Sequence, residues 1–102
     1  MASYPYINLN DDGDFSAYDY FPCTTFLIDC NAKSIKISFP DVTLGNDSSL
    51  FLFSRQDTGG LGLNTCTLQA VPGQLIGGSN TRTLNNNSRL FILACNGTYR
   101  VV

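Results

Sequence analysis

The oxygen-bearing residues near the start of the chain come closest to a chemical site. Asn8, Asn10, Asp12, Gly13, Asp14, Ser16 and Asp19 fall at the spacing of a calcium loop, where oxygen ligands alternate along a tight turn and glycine permits the bend. The pattern is incomplete. Asn stands at the first ligand position, Asp replaces the reaching terminal Glu, and no helices are read on either side, so a solvated acidic turn accounts for the same residues. Four cysteines (Cys23, Cys30, Cys66 and Cys95) offer thiolates, but the spacing of Cys23 and Cys30 fits no compact zinc pattern and the chain has no histidine. A four-thiolate site would need widely separated strands. Small buried apolar side chains are the simpler reading, because Cys66 is in phase with Leu68 and Ala70, and Cys95 with Phe91 and Leu93. Pairing of Cys23 with Cys30, or of Cys66 with Cys95 on facing strands, stays open.

Covalent and acid–base chemistry find little to work with. A cysteine or serine nucleophile needs a positioned base, and without histidine the remaining candidates are Lys33 and Lys36, which fall in a hairpin expected to be solvated. The Asp residues concentrate in residues 11–19, an irregular stretch that offers nothing to hold a carboxylate pair at two different pKa values. The glycines of residues 73–78 suggest a phosphate cradle, yet no Gly-Lys-Ser/Thr follows and no helix opens there to aim amides at an anion. A strand corner is the plain alternative. The sequence therefore predicts no enzyme, no metal, no cofactor and no small-molecule substrate.

What must hold these residues is one domain of 102 residues. All eight acidic residues are Asp, and Gly, Asn, Ser, Thr and Phe are plentiful, which is a strand-and-turn composition. Charged residues make up 14% of the chain, against roughly 25% in an average soluble domain. A lone monomer would expose an unusually uncharged surface, so other subunits are expected to cover part of it. The net charge is −2 and the six basic residues are scattered singly, which predicts no nucleic-acid partner. The opening Met1-Ala2-Ser3-Tyr4-Pro5 has neither the basic segment nor the apolar stretch of a secretory signal, and no apolar run approaches membrane-spanning length. Synthesis in a cytoplasm, with no membrane partner, is the expectation.

Residues 1–20 alternate tyrosine with aspartate without a clear period and read as an arm or lead-in; residues 21–102 read as a single β domain. Thr25-Phe26-Leu27-Ile28-Asp29 and Ile35-Lys36-Ile37-Ser38-Phe39 are two short strands around Asn31-Ala32-Lys33-Ser34, closed by Pro40, and predict a hairpin in which Ile35, Ile37 and Phe39 share one face. Leu50-Phe51-Leu52-Phe53 is a continuous apolar run, suited to a central strand or to one whose outer face meets a neighbour. A flexible loop over residues 57–62 precedes a strand over 65–71. Residues 89–95 and 98–102 predict a final hairpin across Asn96-Gly97, where both turn positions tolerate positive φ, with core contacts from Phe91, Leu93 and Tyr99. No helix of useful length and no internal repeat is seen.

The order of these pieces resembles a β module of tailed-bacteriophage virion proteins. The residues that carry it are Tyr20-Phe21, Phe26-Leu27-Ile28-Asp29, Ile35-Lys36-Ile37-Ser38-Phe39-Pro40, a strand around Phe51, Asn64-Thr65-Cys66-Thr67-Leu68, Gly73-Gln74-Leu75-Ile76-Gly77-Gly78, Thr83-Leu84, residues 90–93 and Asn96-Gly97-Thr98-Tyr99. That family shows an Asp-ended strand, a strand ending in Leu-Pro, an Asn-x-x-x-Ile strand, a Gly-x-x-Ile-x-Gly corner and a closing Asp-Gly-x-x-Trp. Here Asn96 stands in place of the Asp, and Tyr99 replaces the Trp one position early. The resemblance spans residues from about 18 to 102. It implies an antiparallel β-sandwich or small barrel with an extended N-terminal arm, assembled as a homotrimer. The function implied is capsid decoration, in which a cement protein at the virion surface binds between major-capsid subunits and opposes the pressure of packaged DNA. A fibre or spike module for host attachment is the alternative, for which residues 43–49 and 57–62 are the only candidate recognition loops. The expected interface residues are Tyr4, Tyr6, Ile7, Tyr18 and Tyr20 of the arm, because tyrosine gives large contact area at low entropic cost, with Phe51 and Phe53 of the apolar run.

Overall fold

Strands form where alternation and β-branched or aromatic residues were read, and in three further places. The computed structural model describes residues 6–14, 25–42, 50–60 and 62–102, with the backbone alone of Ile7 and Asp14. Its strands are β1 (Ile7–Leu9), β2 (Gly13–Asp14), β3 (Thr25–Ile28), β4 (Ile35–Ser38), β5 (Leu50–Arg55), β6 (Cys66–Gln69), β7 (Thr81–Thr83), β8 (Ser88–Cys95) and β9 (Thr98–Val101). No helix occurs among the described residues. The larger sheet has the order β1-β3-β5-β8-β9 and the smaller β2-β4-β6-β7.

The connectivity differs from the antiparallel one expected. From β1 to β6 the chain passes to the other sheet after every strand, and equivalent strands pair in parallel: β1 with β3, β3 with β5, β2 with β4 and β4 with β6. Antiparallel pairing begins only with β7 on β6, β8 on β5 and β9 on β8. The fold is therefore all-β and sandwich-like, but both sheets are mixed. Residues 25–39 do not make the predicted hairpin, because β3 and β4 lie in different sheets. Both strands carry an apolar face (Phe26 and Ile28; Ile35 and Ile37), and crossing over sets these faces opposite each other rather than side by side. Part of the predicted arm is likewise sheet, since residues 7–9 and 13–14 supply one edge strand to each.

The shared interior is aromatic. Phe26 stacks on Phe53 with ring centroids 4.9 Å apart, Phe39 on Phe53 at 5.2 Å, and Tyr99 meets Phe39 edge-on at 5.0 Å. Ile35, Ile37, Leu68, Ile76 and Ile92 complete it, all at most 2% exposed. Tyr99 is fully buried with its hydroxyl donating to the Pro40 carbonyl at 2.7 Å, which satisfies the one polar atom the ring takes inside. Its strand follows the Asn96-Gly97 turn as predicted, with φ of 54° and 74° at the two residues. That turn sets Tyr99 opposite Ala94, so the core face of β8 holds Ile92 and Ala94. Phe91 and Leu93, expected inside, lie on the other face, and Phe91 is 43% exposed.

One ion pair is buried with this core. Arg55 Nε and Nη2 donate to the two Asp57 carboxylate oxygens at 3.1 and 2.8 Å, with both side chains at most 3% exposed. Two further guanidinium donors reach the carbonyls of Leu84 (2.7 Å) and Asn64 (2.6 Å), while the Cys30 N–H donates to Asp57 Oδ1 at 2.8 Å. Hydrogen bonds from Arg55 hold the Asp57 carboxyl below its ordinary range against the opposing effect of desolvation. This bonding joins β5 to the segments after β3, before β6 and after β7.

Candidate functional site

The two outer faces differ in chemistry. On the smaller sheet the outward residues are Lys36, Ser38, Thr67, Gln69, Thr81 and Thr83, a hydrophilic surface. On the larger sheet, register sets Leu50 opposite Leu93 and Leu52 opposite Phe91, giving a block of four apolar side chains on β5 and β8. Leu50 and Phe91 are 48% and 43% exposed. Thr25 continues the Leu52 row on β3, Arg100 continues the Leu93 row on β9, and the Ser54–Arg89 row bounds the block on the next step. Leu27 (38% exposed) lies next to Ser54 in register. An apolar centre rimmed by arginine and hydroxyl groups is the composition of a contact surface.

Beside this block, toward β1, an open groove of about 410 Å³ is lined by Asn8, Asn10, Leu27, Asp29, Ser54 and Gln56. Asp29 Oδ1 accepts hydrogen bonds from the backbone N–H groups of Asn31 (2.9 Å) and Thr58 (3.2 Å), which hold its carboxyl below the ordinary range. The groove thus presents amides, a hydroxyl and a fixed carboxylate to solvent.

The predicted interface residues that the structure describes do not share one surface. Phe51 and Phe53 belong to the core, at 5% and 2% exposure, because the strand alternates and its outward positions are Leu50 and Leu52. Tyr6 is 48% exposed just before β1, and the backbone of Ile7 pairs with Phe26. Tyr4, Tyr18 and Tyr20 lie outside the described residues, as does the candidate loop 43–49.

Several of the calcium-loop residues are engaged by the chain itself. Asn8 lies in β1 and Gly13 in β2, so the segment crosses from the larger sheet to the smaller. Asp12 Oδ1 accepts the Lys36 N–H at 2.9 Å, and Asp11 pairs with Lys33 at 2.6 Å. Ser16 and Asp19 are outside the described residues. Among the described residues no group of three or more His, Cys, Asp or Glu is gathered as for a metal ion, and no helix is long and apolar enough to cross a membrane. Residues 73–78 form a corner: Gly77 and Gly78 both have positive φ, and Ile76 bridges to Ser79.

Sequence reasoning missed Arg55 and Asp57. The signal was present, since Arg55 is in phase with Phe51 and Phe53 and alternation alone directs it inward. The chain matches no protein-family model, no curated protein and no solved structure.

Proposed function

We propose that this chain is a structural virion protein, a capsid decoration or cement protein that self-associates as a trimer and binds between major-capsid subunits. The observation that carries the reading is the apolar block of Leu50, Leu52, Phe91 and Leu93 on the outer face of the larger sheet, opposite a hydrophilic outer face on the smaller one. One face suits contact with protein and the other suits solvent. The low charge content and the resemblance to phage virion modules point the same way. Stabilisation would be geometric: copies seated where subunits meet add buried surface across each joint. Tyr6 would act as an anchor beside that face, together with Tyr4.

The open polar groove favours the second reading, a fibre or spike module for host attachment, because its amides and carboxylate suit a polar ligand at a cell surface. One experiment separates the two. Purified protein is mixed with capsids lacking it and, separately, with host envelopes. Saturable binding to capsids with little affinity for envelopes is expected of a cement protein, and Tyr4→Ala with Tyr6→Ala should weaken it by about 1–4 kcal/mol. Binding to envelopes but not to capsids rejects the cement reading.

A further inference from the structure

The outer face of the larger sheet carries a polar tract beside its apolar block. Register aligns Asn8, Leu27, Ser54 and Arg89 across the neighbouring strands β1, β3, β5 and β8, and all four side chains are exposed or half-buried. Pairing runs on past the strand ends, where the Asp29 N–H donates to the Leu9 carbonyl at 2.8 Å and the Gln56 N–H to the Ile28 carbonyl at 3.0 Å. A second row of Asn10, Asp29 and Gln56 therefore follows the first. The groove of about 410 Å³ occupies these rows, and a recess of about 220 Å³ toward Asn87, Ser88 and Arg89 shares Ser54 and Gln56 with it. With neighbouring strands about 4.8 Å apart, the tract is roughly 14 Å long. Its rim is held by the buried ion pair. The Cys30 N–H donates to Asp57 Oδ1, the Asp57 N–H donates to Asn86 Oδ1 at 2.9 Å, and Arg55 Nη1 donates to the Leu84 carbonyl. The segments bearing Asp29, Thr58 and Asn87 are thus tied to one buried point. Asp29 Oδ1 in turn accepts the Asn31 and Thr58 N–H groups, which fixes the carboxylate before any ligand arrives.

We infer that this tract is a binding site for a short oligosaccharide, recognised through its ring hydroxyls. The inference rests on the attachment reading above, since both use the same groove, and it names the class of ligand. A sugar hydroxyl both donates and accepts, and the side-chain amides of Asn8, Asn10, Gln56 and Asn87 offer both functions, as does the Ser54 hydroxyl. The Asp29 carboxylate accepts from ring hydroxyls more strongly than a neutral oxygen would. Leu27, 38% exposed in the floor, gives the C–H face of a ring an apolar support. Other ligands match less well. A phosphorylated or nucleic-acid ligand needs gathered positive charge, whereas the lining holds Arg89, the internally paired Arg55 and an opposing carboxylate. A flat apolar ligand needs aromatic walls, and the described lining contains no aromatic ring. The length of the tract matches several linked rings better than a single one, and the preformed rim offsets part of the ordering cost that an open polar site carries.

The test applies the full chain to an immobilised panel of oligosaccharides built from neutral hexoses, amino sugars and hexuronic acids. A binding member is then titrated, free in solution, into isotope-labelled protein followed by NMR. Expected is saturable binding, with the largest amide shifts at residues 8–10, 27–29, 54–58 and 87–89. Ser54→Tyr, which fills the floor of the groove from a half-buried strand position, should abolish binding at an unchanged melting temperature. Asn8→Ala with Gln56→Ala removes two exposed amides, leaves the groove open and should weaken binding about tenfold or more. Leu50→Ser with Phe91→Ser, on the apolar block, should leave the solution affinity unchanged. No saturable binding to any panel member at millimolar concentration overturns the proposal, as do shifts confined to another surface or an affinity unaltered in a folded groove variant. The attachment reading fails separately. Envelope binding that persists in Ser54→Tyr keeps that reading and overturns the groove as its site, whereas groove-dependent oligosaccharide binding by a chain that ignores envelopes supports the groove and rejects attachment.

Discussion

Arg55 and Asp57 are the residues on which the fold depends most sharply. A buried pair is costly to desolvate but far costlier to break, because removing one partner strands the other charge away from water. Asp57→Ala is expected to destabilise the protein by about 3–5 kcal/mol, measured by urea unfolding. The pH dependence has a definite sign. The Asp57 carboxyl is held below its unfolded value of 3.8, so its contribution is complete above that pH and is lost as pH falls through the lower folded value. The melting temperature should therefore drop below about pH 4, less steeply in Asp57→Asn than in the native chain; equal slopes would show that this carboxylate is not the linked group. Asp11 and Asp29 are lowered as well and remain in both proteins, so the difference between the two slopes isolates Asp57. At this scale the sequence was legible in alternation and not in sign. Alternation with Phe51 and Phe53 directs position 55 inward, but a lone arginine reads as outward until its partner two residues on is recognised.

Elements were read better than their partners. The strings that became β3, β4, β5, β6, β8 and β9 all carry strand signals, and Ile35, Ile37 and Phe39 share a buried face as expected. Periodicity reports which way a side chain points and says nothing about which strand lies alongside, so the crossing from β3 to β4 was read as a hairpin. The phase of β8 was ambiguous because residues 90–95 are apolar throughout, and only the two-residue turn with Tyr99 beyond it selects Ile92 and Ala94. β1 and β2 are too short and too polar to announce themselves. The last strand is expected to be indispensable. Deleting residues 98–102 removes Tyr99 from the core and leaves β8 without a partner on one side, a loss of several kcal/mol from the roughly 5–15 that such a domain possesses. Insoluble product is the predicted outcome, and an unchanged melting temperature in the truncated chain would contradict it.

For the whole molecule, the outer face of the larger sheet sets the main expectation. Purified protein should run as a trimer at micromolar concentration by light scattering coupled to size exclusion. Leu50→Ser with Phe91→Ser should shift it to monomer while moving the melting temperature little, since both side chains are about half exposed within the chain. A native chain that is already monomeric removes the self-association part of the proposed function. The winding path of the backbone has a consequence for how the molecule opens. β1 and β2 are each held by one parallel neighbour over three and two residues, whereas β5 lies between β3 and β8. Each turn of chain rests on the one after it, so the amides of β1 and β2 should exchange with deuterium first, β3 and β4 next, and β5 only on global unfolding. A module built only of hairpins would lose its strands in separable pairs; here the parallel strands from β1 to β5 are expected to open in chain order.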